Sequence, residues 1–247
     1  MAADQSNEGF FGERVASVYD ESVAEMFEPE AVSPVVELLA ELARDGAALE
    51  LGIGTGRIAL PLAARGVRVQ GIDDSEAMVA RLRAKPGGES IEVAIGDFSA
   101  TRVPGEFSLV YLVFNTIFNL VTQDAQVACF ENAAAHLQSG GRFVIETGVP
   151  ELQKLPLGQT IIPFRADPAG LSFDVYDVVT QRCSSQHYVF SGSGVETYPV
   201  EFRYAWPAEL DLMARLAGLT LENRWAGWQR EPFTSVSLSH VSVYEKP

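Results

Sequence analysis

The chain has 247 residues, of which 33 are acidic and 18 are basic, giving a formal net charge of −15. Hydrophobic residues make up 47% of it, which is typical of a folded globular protein and excludes an intrinsically disordered or collagen-like chain. The negative charge disfavours nucleic acids and anionic membrane surfaces as partners, because both would repel the protein. No apolar run approaches the ~18 residues that span a bilayer, and the N-terminal segment lacks the apolar core of a secretory signal. With only two cysteines, the composition favours a cytoplasmic protein with reduced thiols.

The N-terminal region is predicted to form two helices. Apolar residues recur every three or four positions from Phe10 to about Glu28, which predicts an amphipathic helix. A second helix is predicted from Ser33 to Arg44, because a serine followed by Pro34 is typical of a helix start.

Short apolar strands then alternate with helices up to residue 150. The predicted strands have the sequences ALELGIG, VRVQGID, IEVAIGDF, FSLVYLVFN and RFVIETGV. Each is a nearly continuous apolar run, as expected for a strand that helices cover on both faces. Strand–helix–strand alternation with right-handed crossovers predicts an α/β fold with a parallel, doubly wound sheet.

The alternation stops after Pro150. Residues 151–205 contain no convincing helix but several runs of β-branched and aromatic residues separated by turn sequences, which predict an antiparallel β insertion. One helix and two strands follow over 206–247 and are expected to return to the main sheet. The predicted organisation is therefore a core over 1–150, the insertion over 151–205 and a C-terminal return over 206–247.

Groups suited to binding adenosine follow three successive strands. The first strand ends in a glycine-rich loop, ELGIGTG, which starts at Glu50 and allows a ligand to lie against bare main chain. The second strand ends at Asp73, whose carboxylate can bind both hydroxyls of a ribose. The third ends in Gly96-Asp97-Phe98, where a carboxylate and a backbone N–H can read an adenine edge. Because the carboxyl ends of parallel strands share one edge of the sheet, these groups are expected to lie together.

Two kinds of adenosine cofactor fit such an edge. The spacing Gly54-x-Gly56-x-x-Ala59 matches the dinucleotide fingerprint, so a nicotinamide-dependent oxidoreductase is one alternative. A pyrophosphate at this loop would face Glu50, however, and like charges ~4 Å apart repel by about 1 kcal/mol even in water. The carboxylate suits an ammonium or sulfonium cation better. A non-catalytic protein that binds an adenosyl ligand is the second alternative.

The motifs taken together carry a family resemblance. They are VYD at residues 18–20, LELGIGTGR, GIDDSEAM, GDF, FNTIFNL after the fourth strand, and GGRFVIE. In this order and spacing the chain resembles the class I S-adenosylmethionine-dependent methyltransferases. The resemblance implies a Rossmann-like sheet of seven strands whose last strand is antiparallel. It also implies S-adenosyl-L-methionine as the cofactor and S-adenosyl-L-homocysteine as its product.

The resemblance further implies which residues bind the cofactor. Glu50 and the loop glycines would hold the methionine part, Asp73 the ribose, and Asp97 with Phe98 the adenine. Tyr19 and the residues after the fourth strand would face the methionine end and the transferred methyl. The implied set is Tyr19, Glu50, Gly52, Gly54, Gly56, Asp73, Asp74, Ser75, Met78, Asp97, Phe98, Phe114 and Asn115.

The insertion resembles the β lid of methyltransferases that act on small molecules. We therefore expect methyl transfer to an oxygen or nitrogen atom of a small-to-medium organic acceptor, by a monomer or homodimer. In-line displacement at a sulfonium requires alignment and exclusion of water, and no metal. A general base is needed only if the acceptor must lose a proton, and His187 in the insertion is the predicted candidate, with Tyr188, Asn119 and Glu146 behind it.

Overall fold

The computed structural model describes residues 11–192 and 194–247. Within these residues the chain forms two β-sheets flanked by helices. The strands are β1 (Ala48–Leu51), β2 (Val69–Asp73), β3 (Glu92–Ile95), β4 (Phe107–Leu112), β5 (Leu137–Gly148), β6 (Ile161–Asp167), β7 (Gly170–Asp177), β8 (Arg182–Ser191), β9 (Gly194–Arg203), β10 (Thr220–Trp225) and β11 (Ser239–Glu245). The α-helices are α1 (Glu13–Ala16), α2 (Tyr19–Ser22), α3 (Pro29–Ala43), α4 (Ala59–Ala64), α5 (Glu76–Arg83), α6 (Gln123–His136) and α7 (Pro207–Leu216).

The main sheet has seven strands in the order β10-β11-β5-β4-β1-β2-β3. The strands β1 to β5 run parallel, whereas β11 is antiparallel to both of its neighbours. Helices α6 and α7 cover one face of the sheet, and α3, α4 and α5 cover the other. The predicted doubly wound α/β sheet with an antiparallel last strand is confirmed.

The second sheet has four antiparallel strands in the order β6-β7-β8-β9. Successive strands pair as hairpins, with Gly170 opposite Val189 and Arg182 opposite Arg203. The predicted antiparallel insertion is therefore confirmed as a separate sheet. The exact domain boundaries after residues 150 and 205 stay a prediction.

The segment before α3 differs from the single amphipathic helix that the sequence predicts. It forms α1, α2 and a short 3₁₀ turn over Ala24–Phe27, and Phe10 lies outside the described residues. Two serine hydroxyls near the helix ends donate hydrogen bonds to main-chain carbonyls, from Ser17 to Arg14 and from Ser22 to Tyr19. Such local bonds compete with helix continuation and break the segment into turns.

Helix α3 also begins earlier than predicted. Its first residue is Pro29, whose missing N–H costs nothing at that position, and Glu28 before it is extended. Pro34, predicted at the helix start, lies inside α3 instead. Both Pro29 and Pro34 are compatible with the first turn of a helix, and α3 begins at Pro29.

A buried polar network fastens the second sheet to the core. Arg203 at the end of β9 is 4% exposed and donates to the side chains of Gln126 on α6 and Glu209 on α7. Gln126 in turn donates to the carbonyl oxygen of Arg203 at 2.8 Å. Burial raises the pKa of Glu209, but hydrogen bonds from Gln181 and Arg203 outweigh it and hold that pKa below its usual value. Each member of the network thus has a partner.

None of the helices within residues 11–192 and 194–247 has the length and apolar character that a membrane crossing requires.

We expect Arg203→Met to lower the free energy of unfolding by about 3 kcal/mol, because the mostly buried carboxylate of Glu209 would lose its charged partner. Urea denaturation followed by circular dichroism measures this change. Arg165→Met is the matched control, because Arg165 and Asp167 form an exposed pair within β6 that contributes about 1 kcal/mol or less. Equal losses in the two variants would contradict the role of the network.

Candidate functional site

The glycine-rich loop between β1 and α4 adopts a conformation that side chains disfavour. Gly52 and Gly54 have φ angles of 68° and 54°, in the left-handed region. A Cβ added at Gly52 would lie 2.6 Å from Cγ2 of Thr116, so the loop also packs too closely for a side chain there. The result is exposed main chain at the carboxyl edge of the sheet.

A cleft of about 280 Å³ opens at this edge. Most of the predicted cofactor residues line it, and they come from the loop, from the ends of β2 and β3, and from α2 and α5. Those residues are Tyr19, Gly52, Gly54, Asp73, Asp74, Met78, Asp97 and Phe98. Six further residues that line the cleft were not predicted. Thr116 and Leu120 lie in the motif FNTIFNL, whereas Phe11, Val121, Thr122 and Ala125 belong to no motif.

Asp73 connects the loop to the start of α5. Its Oδ2 accepts a hydrogen bond from the N–H of Gly54 at 2.6 Å, and its Oδ1 accepts one from the N–H of Ser75 at 2.9 Å. Burial raises the pKa of Asp73 to about 6, against the opposing effect of these two hydrogen bonds. The carboxylate is therefore ionised at neutral pH and oriented by main-chain donors.

Asp97 lies on the exposed rim of the cleft. Its Oδ1 accepts a hydrogen bond from the N–H of Ser99 at 2.7 Å, so the side chain also stabilises the turn after β3. The half-buried Phe98 beside it lines the same cleft, and its carbonyl oxygen accepts a bond from Asn132.

Glu50 lies beneath the loop rather than in the main cleft. It is 3% exposed and accepts a hydrogen bond from the hydroxyl of Tyr111 at 2.8 Å. Burial raises its pKa to about 8, although the Tyr111 bond and the nearby Arg57 lower it. With Tyr19 and Phe114 it lines a small recess next to the cleft. A cation entering this recess would favour the ionised carboxylate.

Two predicted residues have structural roles in the described chain. The Ser75 hydroxyl caps α5 by accepting from the N–H of Met78 and donates to the carbonyl oxygen of Phe11. It does not line the cleft. Gly56 faces the side chain of Leu82, where an added Cβ would lie 3.0 Å away, and it borders a different groove.

The turn after β4 contains two consecutive residues in the left-handed region. Phe114 and Asn115 have φ angles of 59° and 61°, which is uncommon for residues other than glycine. Oε2 of Glu146 accepts from the N–H of Phe114 at 2.9 Å, and Oδ1 of Asn115 accepts from the N–H of Gly148 at 2.6 Å. Glu146, whose other oxygen accepts from Trp228, thus supports the turn and is not placed as a base.

A second cavity of about 350 Å³ lies between this turn and the four-stranded sheet. The core contributes Asn115, Phe118 and residues 148–151. The sheet contributes Phe164, Asp174, Tyr176, Cys183, Ser185 and Phe202, and Tyr204 follows β9. The alternation in LSFDVYD could have identified Asp174 and Tyr176, because residues two apart on a strand share one face.

His187 does not line either cavity. It follows Ser185, a cavity-lining residue of β8, by two positions on the same strand face. Its Nδ1 lies 3.2 Å from the hydroxyl of Ser172, and its Nε2 lies 3.2 Å from that of Ser185. Burial lowers the pKa of His187, against the opposing effect of Asp174, so the ring is neutral at pH 7. The predicted catalytic role of His187 has no support from its position and stays a prediction.

Comparisons with known proteins agree with this architecture. A family model described as a methyltransferase domain matches residues 48–141. The CcbJ methyltransferase from Streptomyces caelestis is 36% identical, with a TM-score of 0.82 over 96% of this chain and 97% of that chain. The cypemycin N-terminal methyltransferase of a Streptomyces species is 28% identical over 240 residues, covering 93% of this chain and 98% of that one.

More distant relatives share the fold. CalS10, an aminopentose methyltransferase from Micromonospora echinaspora whose structure contains S-adenosylmethionine, is 20% identical with a TM-score of 0.68, over 93% of this chain and 97% of that chain.

The fold and the site define a Rossmann-like methyltransferase. The chain belongs to the class I S-adenosylmethionine-dependent methyltransferases and carries an antiparallel β insert. Its cofactor is S-adenosylmethionine, and the oxidoreductase and non-catalytic alternatives are set aside.

We expect the affinity for S-adenosylhomocysteine to fall about tenfold per pH unit below about pH 6. The reason is that Asp73 has a raised pKa, and a carboxylate that accepts hydrogen bonds from ribose hydroxyls must be ionised. Isothermal titration calorimetry between pH 5 and pH 7.5 measures the slope.

Asp73→Asn is the matched control, because it removes the titrating group and keeps the shape. This variant is expected to bind more weakly at pH 7.5 and to show a shallower fall in affinity below about pH 6 than the wild type. The same slope in both proteins would show that another group is responsible.

Proposed function

We propose that this enzyme methylates an amine nitrogen of a small molecule or a peptide terminus. In this proposal the cofactor occupies the cleft at the carboxyl edge of the main sheet, and the acceptor occupies the second cavity. The proposal rests on the side chains that line the second cavity, which are aromatic and acidic.

The cleft has the groups that the cofactor requires. The loop presents bare main chain at Gly52 and Gly54, Asp73 offers an ionised carboxylate for the ribose, and Asp97 offers a carboxylate at the rim for adenine. Glu50 lies beneath the loop, where a carboxylate complements the positive charge of the methionine part. S-adenosylmethionine supplies the methyl group on a positively charged sulfur.

The second cavity is aromatic and acidic. Five of its lining residues are aromatic and two, Glu151 and Asp174, carry carboxylates; no lysine, arginine or histidine is among the described residues that line it. Glu151 already has an ion pair with Lys154, which leaves Asp174 as the carboxylate without a lysine or arginine beside it in the cavity. Aromatic faces and a carboxylate attract an ammonium group and offer little to an anionic acceptor.

One segment of chain separates the two cavities. Thr116 lines the cofactor cleft, whereas Asn115 and Phe118 line the second cavity. Phe114 lies in the recess above Glu50. An acceptor in the second cavity would therefore reach the methionine end of the cofactor past this turn, from the side opposite the adenosine. Such an approach is what in-line displacement requires.

The names of relatives agree with an amine acceptor. The relative from a Streptomyces species is an N-terminal methyltransferase of cypemycin. CalS10 is an aminopentose methyltransferase, and its likeness to this chain extends to the fold. Small-molecule and peptide acceptors are both found among such relatives.

We expect turnover of amines and not of matched alcohols. The test compares 2-phenylethylamine with 2-phenylethanol, and a short peptide that has a free N-terminus with its N-acetylated form. Formation of S-adenosylhomocysteine, followed by chromatography, is expected to be at least about tenfold faster for each amine, because a charged hydrogen bond holds it in the cavity. Equal or faster turnover of the alcohols would contradict the proposal.

A further inference from the structure

Asp174 lies at the centre of one face of the four-stranded sheet. It is directly opposite Ser185 in the pairing of β7 with β8, and the Ser185 hydroxyl donates a hydrogen bond to it. The Tyr176 hydroxyl is 3.4 Å from Oδ2 of Asp174. All three side chains line the second cavity. Ser185 and Tyr176 thus orient the Asp174 carboxylate, which lines the cavity proposed for the acceptor.

Burial raises the pKa of Asp174, and the bonds from Ser185 and Tyr176 only partly oppose this. A carboxylate with a raised pKa is a stronger base than an exposed one. The titratable and charged groups that act on this face are Glu151 before β6, Arg165 on β6, Tyr176 on β7, and Cys183 and His187 on β8.

Tyr204 provides a second polar group in the same cavity. The residue is 4% exposed, and its hydroxyl oxygen has no hydrogen-bond partner among the described residues. Its ring lies 5.7 Å from that of Tyr176, whose hydroxyl is near Asp174. Buried hydroxyls in proteins are nearly always satisfied, because an unmade bond costs about 1–3 kcal/mol. Tyr204 also lines the second cavity, where a bound ligand would supply the missing partner.

We propose that Asp174 and Tyr204 are the two polar contacts of the acceptor, which is an amine with an oxygen atom on a neighbouring carbon. This inference rests on the proposed function and narrows its substrate class. The Asp174 carboxylate accepts a hydrogen bond from the ammonium group, and the Tyr204 hydroxyl donates one to the neighbouring carbonyl or hydroxyl oxygen. An α-amino amide and a vicinal amino alcohol both have this arrangement.

Asp174 also receives the proton that the reaction releases. An ammonium nitrogen has no free electron pair, so one N–H bond must break first, and its proton moves to an oxygen of Asp174. The electron pair left on nitrogen forms the bond to the methyl carbon while the carbon–sulfur bond breaks and its pair remains on sulfur. Asp174 is therefore a catalytic residue, and Ser185 is a positioning residue that acts through it.

Three probes separate the two contacts. L-Phenylalanine amide has the amine and the oxygen, 2-phenylethylamine has only the amine, and 3-phenylpropanamide has only the oxygen. Their binding to the full chain saturated with S-adenosylhomocysteine is measured by calorimetry for the wild type, Asp174→Asn, Tyr204→Phe and the control Asp167→Asn. Asp167 is exposed on β6 and pairs with Arg165, outside the cavity.

Each variant should affect the probes that carry its partner group. We expect Asp174→Asn to weaken both amines by at least about tenfold and leave 3-phenylpropanamide unchanged. Tyr204→Phe should weaken the two amides by about threefold to tenfold and leave 2-phenylethylamine unchanged. Asp167→Asn should resemble the wild type with all three.

The outcomes distinguish this inference from the proposed function. A wild type that binds the amines no better than 3-phenylpropanamide, or binds none of the three at millimolar concentration, overturns both. A wild type that prefers the amines while Asp174→Asn keeps that preference overturns the assignment of Asp174 alone. An unchanged Tyr204→Phe overturns the second contact.

If a variant fails to fold and so loses S-adenosylhomocysteine binding, the pH dependence of the wild type tests the assignment instead. In the wild type the affinity for L-phenylalanine amide should fall as the pH drops through the pKa of Asp174, because the protonated carboxyl no longer attracts the ammonium. The affinity for 3-phenylpropanamide should not change over the same range. A flat profile for both probes would overturn the assignment.

Discussion

The left-handed turn at Phe114 and Asn115 is the constraint on which the rest of the site depends. Two adjacent side-chain-bearing residues in this region cost free energy, on the order of 1–3 kcal/mol each. Hydrogen bonds from the turn to Glu146 and from Gly148 to Asn115 hold it in place. Because the turn lies between the cofactor cleft and the second cavity, the alignment of donor and acceptor in the proposed function depends on its position.

In the proposed function, the methyl donor is bound mainly by the parallel sheet and the acceptor mainly by the antiparallel sheet. The glycine-rich loop and Asp73 belong to the parallel sheet, where strand ends and helix starts present main-chain groups to a ligand. The second cavity is formed largely by the antiparallel sheet, which presents side chains instead. The buried network around Arg203 fixes that sheet to α6 and α7, so both parts meet at a defined separation. Contact between Arg14 and the ring of Tyr198 joins the N-terminal segment to the same sheet.

Most of the fold and much of the cofactor cleft could be predicted from the sequence, because local signals specify them. Glycines at Gly52 and Gly54 and a carboxylate at Asp73 mark strand ends by residue type alone. The second cavity could not be predicted in the same way, since Asp174 and Tyr204 line one cavity only once β7, β8 and β9 have paired and the sheet has packed against the turn after β4. His187 was predicted as a general base because it is titratable, but it does not line the cavity. The prediction of one helix up to Glu28 was wrong because serine hydroxyls bond locally to main-chain carbonyls there, whereas the second predicted helix is present and begins earlier, at Pro29.

The pairing of β7 with β8 has a consequence for how such enzymes diversify. Cavity-lining side chains occupy every second position of this hairpin, and the residues between them face away. Replacing alternate residues therefore reshapes the second cavity, the proposed acceptor site, while the backbone hydrogen bonds of the hairpin stay intact. The parallel sheet would be unaffected by such changes. New acceptor preferences can thus arise by point substitution on one strand face, with the methyl-donor chemistry inherited unchanged.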